Sequence, residues 1–88
     1  MVALTFVMTR IGKLSARVKS CPADLSWGEL TRLLRGLGYE EHRGAGSRRK
    51  FRGKGLPDIS LHEPHPGDIV KLYAVRQVVE TLEREGLL

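Results

Sequence analysis

Two histidines in one short turn are the residues of this chain best suited to acid–base chemistry. His62 and His65 bracket Glu63 and Pro64 in the stretch LHEPHPG. Imidazole titrates close to neutral pH, so either side chain can accept or donate a proton under physiological conditions. A histidine between prolines can equally serve only to hydrogen-bond within a turn, so a structural role for His65 stays open.

A second chemical feature is the stretch GAGSRRKFRGKG at residues 44–55, which sets five Arg and Lys residues among glycines. Small residues let a phosphate approach the backbone closely, and each cation that neutralises a phosphate releases counterions. The alternative is that the basic side chains solvate the outer face of a half-buried sheet. The predicted RNA-binding residues are Gly46, Ser47, Arg48, Lys50, Arg52 and Lys54.

Histidines beside several guanidinium groups have what RNA cleavage requires. A base takes the proton of a ribose 2′-OH, an acid protonates the leaving oxygen, and cations stabilise the charge on the phosphorane. Arg48 cannot be the base, because the pKa of a guanidinium is too high. If the chain cleaves RNA, His62 or His65 therefore transfers the proton, with Arg48 as the electrostatic partner.

Neither a metal nor a nucleotide cofactor is predicted. The prolines around His62 and His65 break the helix that a histidine-rich zinc motif normally uses, and no third ligand is evident. The stretch GAGSRRK contains neither GxxxxGK[ST] nor GxGxxG, the patterns of phosphate-binding loops. We therefore expect no cofactor.

The length and net charge of the chain limit the size of its fold and the chemical kind of partner it can bind. A chain of 88 residues with a formal net charge of +5 predicts one small domain with an anionic partner, nucleic acid first. The lone Cys21 allows no intramolecular disulfide, which favours a reducing cytoplasm. The apolar start MVALTFVM is too short to span a membrane and precedes the first basic residues, so neither a membrane nor a secretory signal is expected. Residues 1–12 are predicted to be a disordered lead, and residues 13–88 a single domain.

The periodicity of the chain predicts an α+β fold. Residues 11–21 carry a weak helical stripe that ends at Pro22, and residues 26–37 form a clear helix with Ser26 and Glu29 as a capping box. Three short alternating runs, YEEHR, SRRKFR and DISLH, follow between glycines and prolines and predict an antiparallel sheet. A second amphipathic helix closes the chain. The predicted order is α-β-β-β-α after an additional short N-terminal helix.

Alternation within the strands divides the residues between two faces. Phe51 should face the core together with Ile59 and Leu61, because residues two apart share a face. Ser60 and His62 then lie on the solvent side. If the second and third strands are neighbours, these two residues lie beside Arg48 and Lys50.

Residues 26–88 resemble the HicA toxins, small mRNA interferases of bacterial type II toxin–antitoxin pairs. The matching pieces are ELTRLLRGLGYE, GSRRKF, LHEPHPG and KLYAVRQVVETLEREGLL, in the same order and spacing. The resemblance implies a fold similar to the double-stranded RNA-binding domain. It also implies metal-independent endoribonuclease cleavage of mRNA and neutralisation by a HicB-type antitoxin that covers the active face.

One position departs from the family motif. Gly46, Ser47 and Phe51 match it, and His65 matches the histidine of the PHP turn, but the family's catalytic histidine after Gly-Ser is Arg48 here. Three functions therefore stay open: a ribonuclease that uses His62 or His65, a domain that binds RNA or a HicB-like partner without cleavage, and a domain whose basic hairpin docks on an acidic protein. RNA preference, cognate antitoxin and oligomeric state are not encoded in any recognisable motif.

Overall fold

A computed structural model describes residues 12–88 and has the predicted α+β architecture. Helix α1 covers residues 12–19 of that range, followed by α2 (Trp27–Gly36), β1 (Glu40–Arg43), β2 (Arg48–Arg52), β3 (Ile59–His62) and α3 (Leu72–Arg84). The strands form one antiparallel sheet in the order β1-β2-β3. The predicted lead at residues 1–12 lies outside the described residues except for Gly12.

The capping box at the start of α2 is confirmed. Ser26 Oγ accepts a hydrogen bond from the Glu29 backbone N–H at 3.1 Å, and the Glu29 carboxylate accepts one from the Ser26 N–H at 3.1 Å. Arg17 of α1 also donates to the Glu29 carboxylate. The hydrogen bonds from Arg17 and Ser26 lower the pKa of Glu29 to about 2. One carboxylate therefore both caps α2 and joins it to α1.

The core lies between one face of the sheet and the helices. Phe51 is fully buried in the middle strand, and its ring centroid lies 5.9 Å from that of Trp27 in α2. Ile59 and Leu61 of β3 are buried with it, as their alternation predicted. The helices, together with Leu25 just before α2, contribute the other large members of this cluster, chiefly Val18, Leu25, Leu30, Leu33, Leu34, Val75, Val78 and Leu82.

The loop between β3 and α3 is held by backbone hydrogen bonds to the start of α2. The Trp27 N–H donates to the Asp68 carbonyl at 2.6 Å, and the Val70 N–H donates to the Leu25 carbonyl at 2.8 Å. Residues on either side of the HEPHPG turn are thus anchored, by β3 before it and by these bonds after it. His62 is itself the last residue of β3, and this attachment of the turn fixes where His65 lies relative to it.

Candidate functional site

The outer face of the sheet carries a concentration of basic side chains and is not covered by the helices' apolar core. The pairing sets Arg48 opposite His62 and Lys50 opposite both His42 and Ser60. Arg52 follows two residues after Lys50 on the same face. We call Arg48, Lys50, Arg52, His42 and His62 the cationic face. These five residues line one shallow concavity of about 520 Å³.

Two members of the cationic face have uncompensated charge. Within residues 12–88, neither Arg48 nor Lys50 lies in a salt bridge, whereas Arg52 pairs with Asp58 at 3.6 Å across an exposed surface. A cation without an acidic partner keeps its full attraction for a phosphate. Arg48 and Lys50 are therefore the two Arg and Lys side chains of this face whose charge no carboxylate among residues 12–88 offsets.

His62 stands where the β3 strand meets the Gly46-Ser47 turn. Its Cα pairs with that of Arg48, and its Nδ1 lies 3.3 Å from Ser47 Oγ. When Nδ1–H donates to the hydroxyl, Nε2 is left unprotonated and can accept a proton. The His62 imidazole thus lies at the Ser47 hydroxyl and beside the strand position of Arg48, although His62 is distant from both in sequence.

Arg49 holds this turn from the opposite side of β2. Its side chain is only 10% exposed and forms a 3.0 Å ion pair with Glu63 and a 3.6 Å pair with Glu41. It also donates to the Gly46 carbonyl at 2.9 Å, while the Glu63 N–H donates to the Ser47 carbonyl at 2.8 Å. Gly46 itself has φ of +60°, which a residue with a side chain adopts only with strain. Arg49 therefore joins the Gly46-Ser47 turn to the start of the HEPHPG turn.

Both candidate proton carriers line one groove between β3, the HEPHPG turn and the start of α3. The groove has a volume of about 530 Å³ and includes His62, His65, Ser47 and Ser60. Its far wall is formed by Lys71, Tyr73 and Gln77. We call this the histidine groove. His65 is exposed there and also borders Gly46 and Ser47 in a smaller adjoining concavity.

The positions of two residues, Lys54 and His42, differ from what the sequence suggested about the site. Lys54, predicted to bind RNA, lies in the turn after β2 and lines neither the cationic concavity nor the histidine groove. His42 was not singled out from the sequence, yet it is exposed on the cationic face opposite Lys50. Alternation in YEEHR carried the signal, because the buried Tyr39 places residue 42 on the outer side.

Two properties of the described residues bear on the kind of site. Among residues 12–88, no three His, Cys, Asp or Glu side chains are grouped so that they could hold a metal ion. None of the helices in the same part of the chain is both long and apolar enough to cross a bilayer.

Fold and site together define a small α+β domain with a basic sheet face beside a histidine-lined groove. The profile of the family described as HicA toxin of bacterial toxin-antitoxin matches residues 27–84, more than half of the chain and all of the site. The chain therefore belongs to the HicA toxin family, as its motifs indicated. No curated protein and no solved structure matches it significantly.

Proposed function

We propose that this HicA toxin is a metal-independent mRNA endoribonuclease that acts in the cytoplasm and is inhibited by a HicB-like antitoxin. The observation that carries the proposal is the direct pairing of Arg48 with His62, next to Ser47 and at the edge of the groove that contains His65. In this family the residue after Gly-Ser supplies the catalytic imidazole. Here the imidazole comes from the neighbouring strand.

The chemistry follows from these positions. His62 Nε2 accepts the proton of the ribose 2′-OH, whose oxygen attacks the adjacent phosphorus. His65 donates a proton to the departing 5′-oxygen, which leaves a 2′,3′-cyclic phosphate on one product and a 5′-hydroxyl on the other. Arg48 and Lys50 stabilise the additional negative charge of the phosphorane. Gly46, Ser47 and Arg52 complete the phosphate-binding surface.

Cleavage of labelled single-stranded RNA in EDTA tests this function. We expect the wild type to release cyclic-phosphate ends, and His62→Ala and His65→Ala each to lower the rate by about 10²- to 10⁴-fold. Binding should persist in both variants when it is measured on an uncleavable 2′-fluoro RNA. His42→Ala is the matched control, because His42 lies on the cationic face but outside the histidine groove.

A non-catalytic binding domain is the second candidate, and Arg48 is the observation that favours it. A guanidinium binds phosphate but does not transfer protons at neutral pH. Tight binding by the wild type without cleavage would support this alternative. Weak RNA binding at physiological salt combined with tight binding of a HicB-like protein would instead identify the basic hairpin as a docking surface for that partner.

A further inference from the structure

The histidine groove has an aromatic wall that neither the proton transfer nor the phosphate contacts use. Tyr73 is 60% exposed and Ile69 is 48% exposed, and they are the two large hydrophobic side chains exposed within the described part of the chain. Both line the groove that also contains His62 and His65. A single exposed apolar residue needs no explanation, but two that share one groove with the reactive groups do.

Tyr73 is exposed because it lies off the buried stripe of α3. Val75, Val78, Val79 and Leu82 of that helix pack into the core, whereas Tyr73 lies in the first turn and borders the groove. The core therefore does not need this side chain. Its ring is presented at the surface by a rigid helix, beside the exposed Lys71 and Gln77.

The groove is continuous with the cationic face. Ser60, Leu61 and His62 line both the groove and the concavity that contains Arg48, Lys50 and Arg52. A single-stranded RNA whose phosphates contact Arg48 and Lys50 would therefore pass His62 and enter the histidine groove. Surfaces that bind single strands combine such a basic track with an aromatic side chain on which a base stacks.

We propose that Tyr73, flanked by Ile69, is the stacking platform for an unpaired nucleobase of single-stranded RNA next to the scissile phosphate. The proposal rests on the proposed ribonuclease function and adds a base-binding subsite to it. Lys71 and Gln77 line the same groove as Tyr73, so the ammonium group is available to a flanking phosphate and the amide to the edge of the base. A base inside a duplex does not fit this subsite, because its stacked neighbours already cover both of its faces.

The charge of the groove favours RNA over a protein as its occupant. The acidic side chain that lines it, Glu63, is neutralised by Arg49 at 3.0 Å, and Lys71 adds a positive charge on the opposite wall. The open end leads onto Arg48 and Lys50, which lack acidic partners among residues 12–88. A polyanion with exposed aromatic bases matches both properties.

Affinity for a short 2′-fluoro single-stranded RNA, and for a series of the same oligonucleotide with one base removed at each position in turn, tests the subsite. We expect Tyr73→Ala to weaken binding of the intact RNA by about 5- to 100-fold and Tyr73→Phe to restore it, because stacking needs the ring and not the hydroxyl. One abasic position should weaken wild-type binding similarly and have no further effect on Tyr73→Ala. Unchanged unfolding of Tyr73→Ala shows that the fold is intact.

The outcomes separate the two proposals. Wild-type cleavage and binding together with an unaltered Tyr73→Ala would overturn the subsite and leave the ribonuclease function standing. A Tyr73→Phe variant as weak as Tyr73→Ala would also overturn it, because the hydroxyl would then be the contact. Loss of HicB-like partner binding with full RNA affinity would assign Tyr73 to that partner and overturn the subsite. Absence of any RNA binding by the wild type would overturn both proposals.

Discussion

Arg49 joins three segments around the site although it points away from the proposed RNA surface. It contacts Glu41 in β1, the Gly46 carbonyl in the β1–β2 turn, and Glu63 at the start of the HEPHPG turn. A planar guanidinium can bind several acceptors at once, which an ammonium group cannot do in the same geometry. We regard Arg49 as a positioning residue for Ser47 and His65.

Removal of Arg49 should destabilise the protein more than removal of an exposed arginine. Arg49→Ala leaves the Glu63 carboxylate and the Gly46 carbonyl without this donor, whereas Glu41 keeps its pair with Arg35 at 3.0 Å. We expect a loss of about 2 kcal/mol in the free energy of unfolding. Arg49→Lys should recover only part of it. Urea unfolding measures both, with Arg52→Ala as the control, whose exposed pair with Asp58 contributes less than about 1 kcal/mol. Equal losses for Arg49→Ala and Arg52→Ala would contradict the positioning role.

At the scale of elements, the start of α2 is the best-defined junction of the described chain. Ser26 and Glu29 cap the helix reciprocally, Arg17 of α1 binds the same carboxylate, and the Trp27 N–H binds the loop that precedes α3. Three elements therefore meet at one helix end. The stability of this junction depends on Glu29 being ionised.

Stability should fall at acidic pH because of Glu29. Its pKa is lowered from 4.5 to about 2 in the folded protein, so the folded state binds the proton less readily than the unfolded chain does. The resulting stabilisation is present above pH 4.5 and is lost as the pH falls toward 2. Thermal or urea unfolding across this range should show a steeper loss for the wild type than for Glu29→Gln.

The cap formed by the Ser26 side chain should contribute measurably to the free energy of unfolding. Ser26→Ala should lower the free energy of unfolding by about 1 kcal/mol at neutral pH, because it removes the acceptor for the Glu29 N–H.

Glu80→Gln is the control for the comparison of the wild type with Glu29→Gln at acidic pH. Glu80 is exposed on α3 in an i,i+4 pair with Arg84. If Glu80→Gln flattened the acid response as much as Glu29→Gln, the junction at α2 would not be its source.

At the scale of the whole molecule, the charges that the proposed RNA binding uses, those of Arg48 and Lys50, lie on one face of the sheet. Helices cover the other face with the apolar core, so RNA can approach Arg48 and Lys50 without displacing packed side chains. The net charge of +5 would attract RNA to any part of the surface, whereas the cationic face would bind it in one place. Salt dependence distinguishes these two situations.

Single charge removals should differ by location. For single-stranded RNA, log K falls as log salt concentration rises, and each lost phosphate contact reduces the magnitude of this negative slope by about 0.7. We expect this change for Arg48→Ala and for Lys50→Ala. Lys19→Ala removes the same formal charge from α1, where Lys19 pairs with Glu83 at 3.8 Å, and should leave the slope nearly unchanged. Equal slopes for all three variants would indicate diffuse attraction by net charge.

Local sequence determined the elements of this protein, because capping and alternation act over a few residues. Ser26 and Glu29 marked the start of α2, and alternation around Phe51 assigned the two faces of β2 before any pairing was known. The same alternation correctly put Ser60 and His62 on the solvent side, and the Gly-Ser and PHP motifs indicated the family.

Only the tertiary structure decided how these pieces combine. The register that sets His62 opposite Arg48 depends on the lengths and bonds of two turns, and the partners of Arg49 are residues 41, 46 and 63, which no local pattern relates. The exposure of Tyr73 likewise depends on which stripe of α3 the core buries. Long-range packing chooses among many arrangements of the same elements, so the histidine groove and its aromatic wall became visible only in the folded chain.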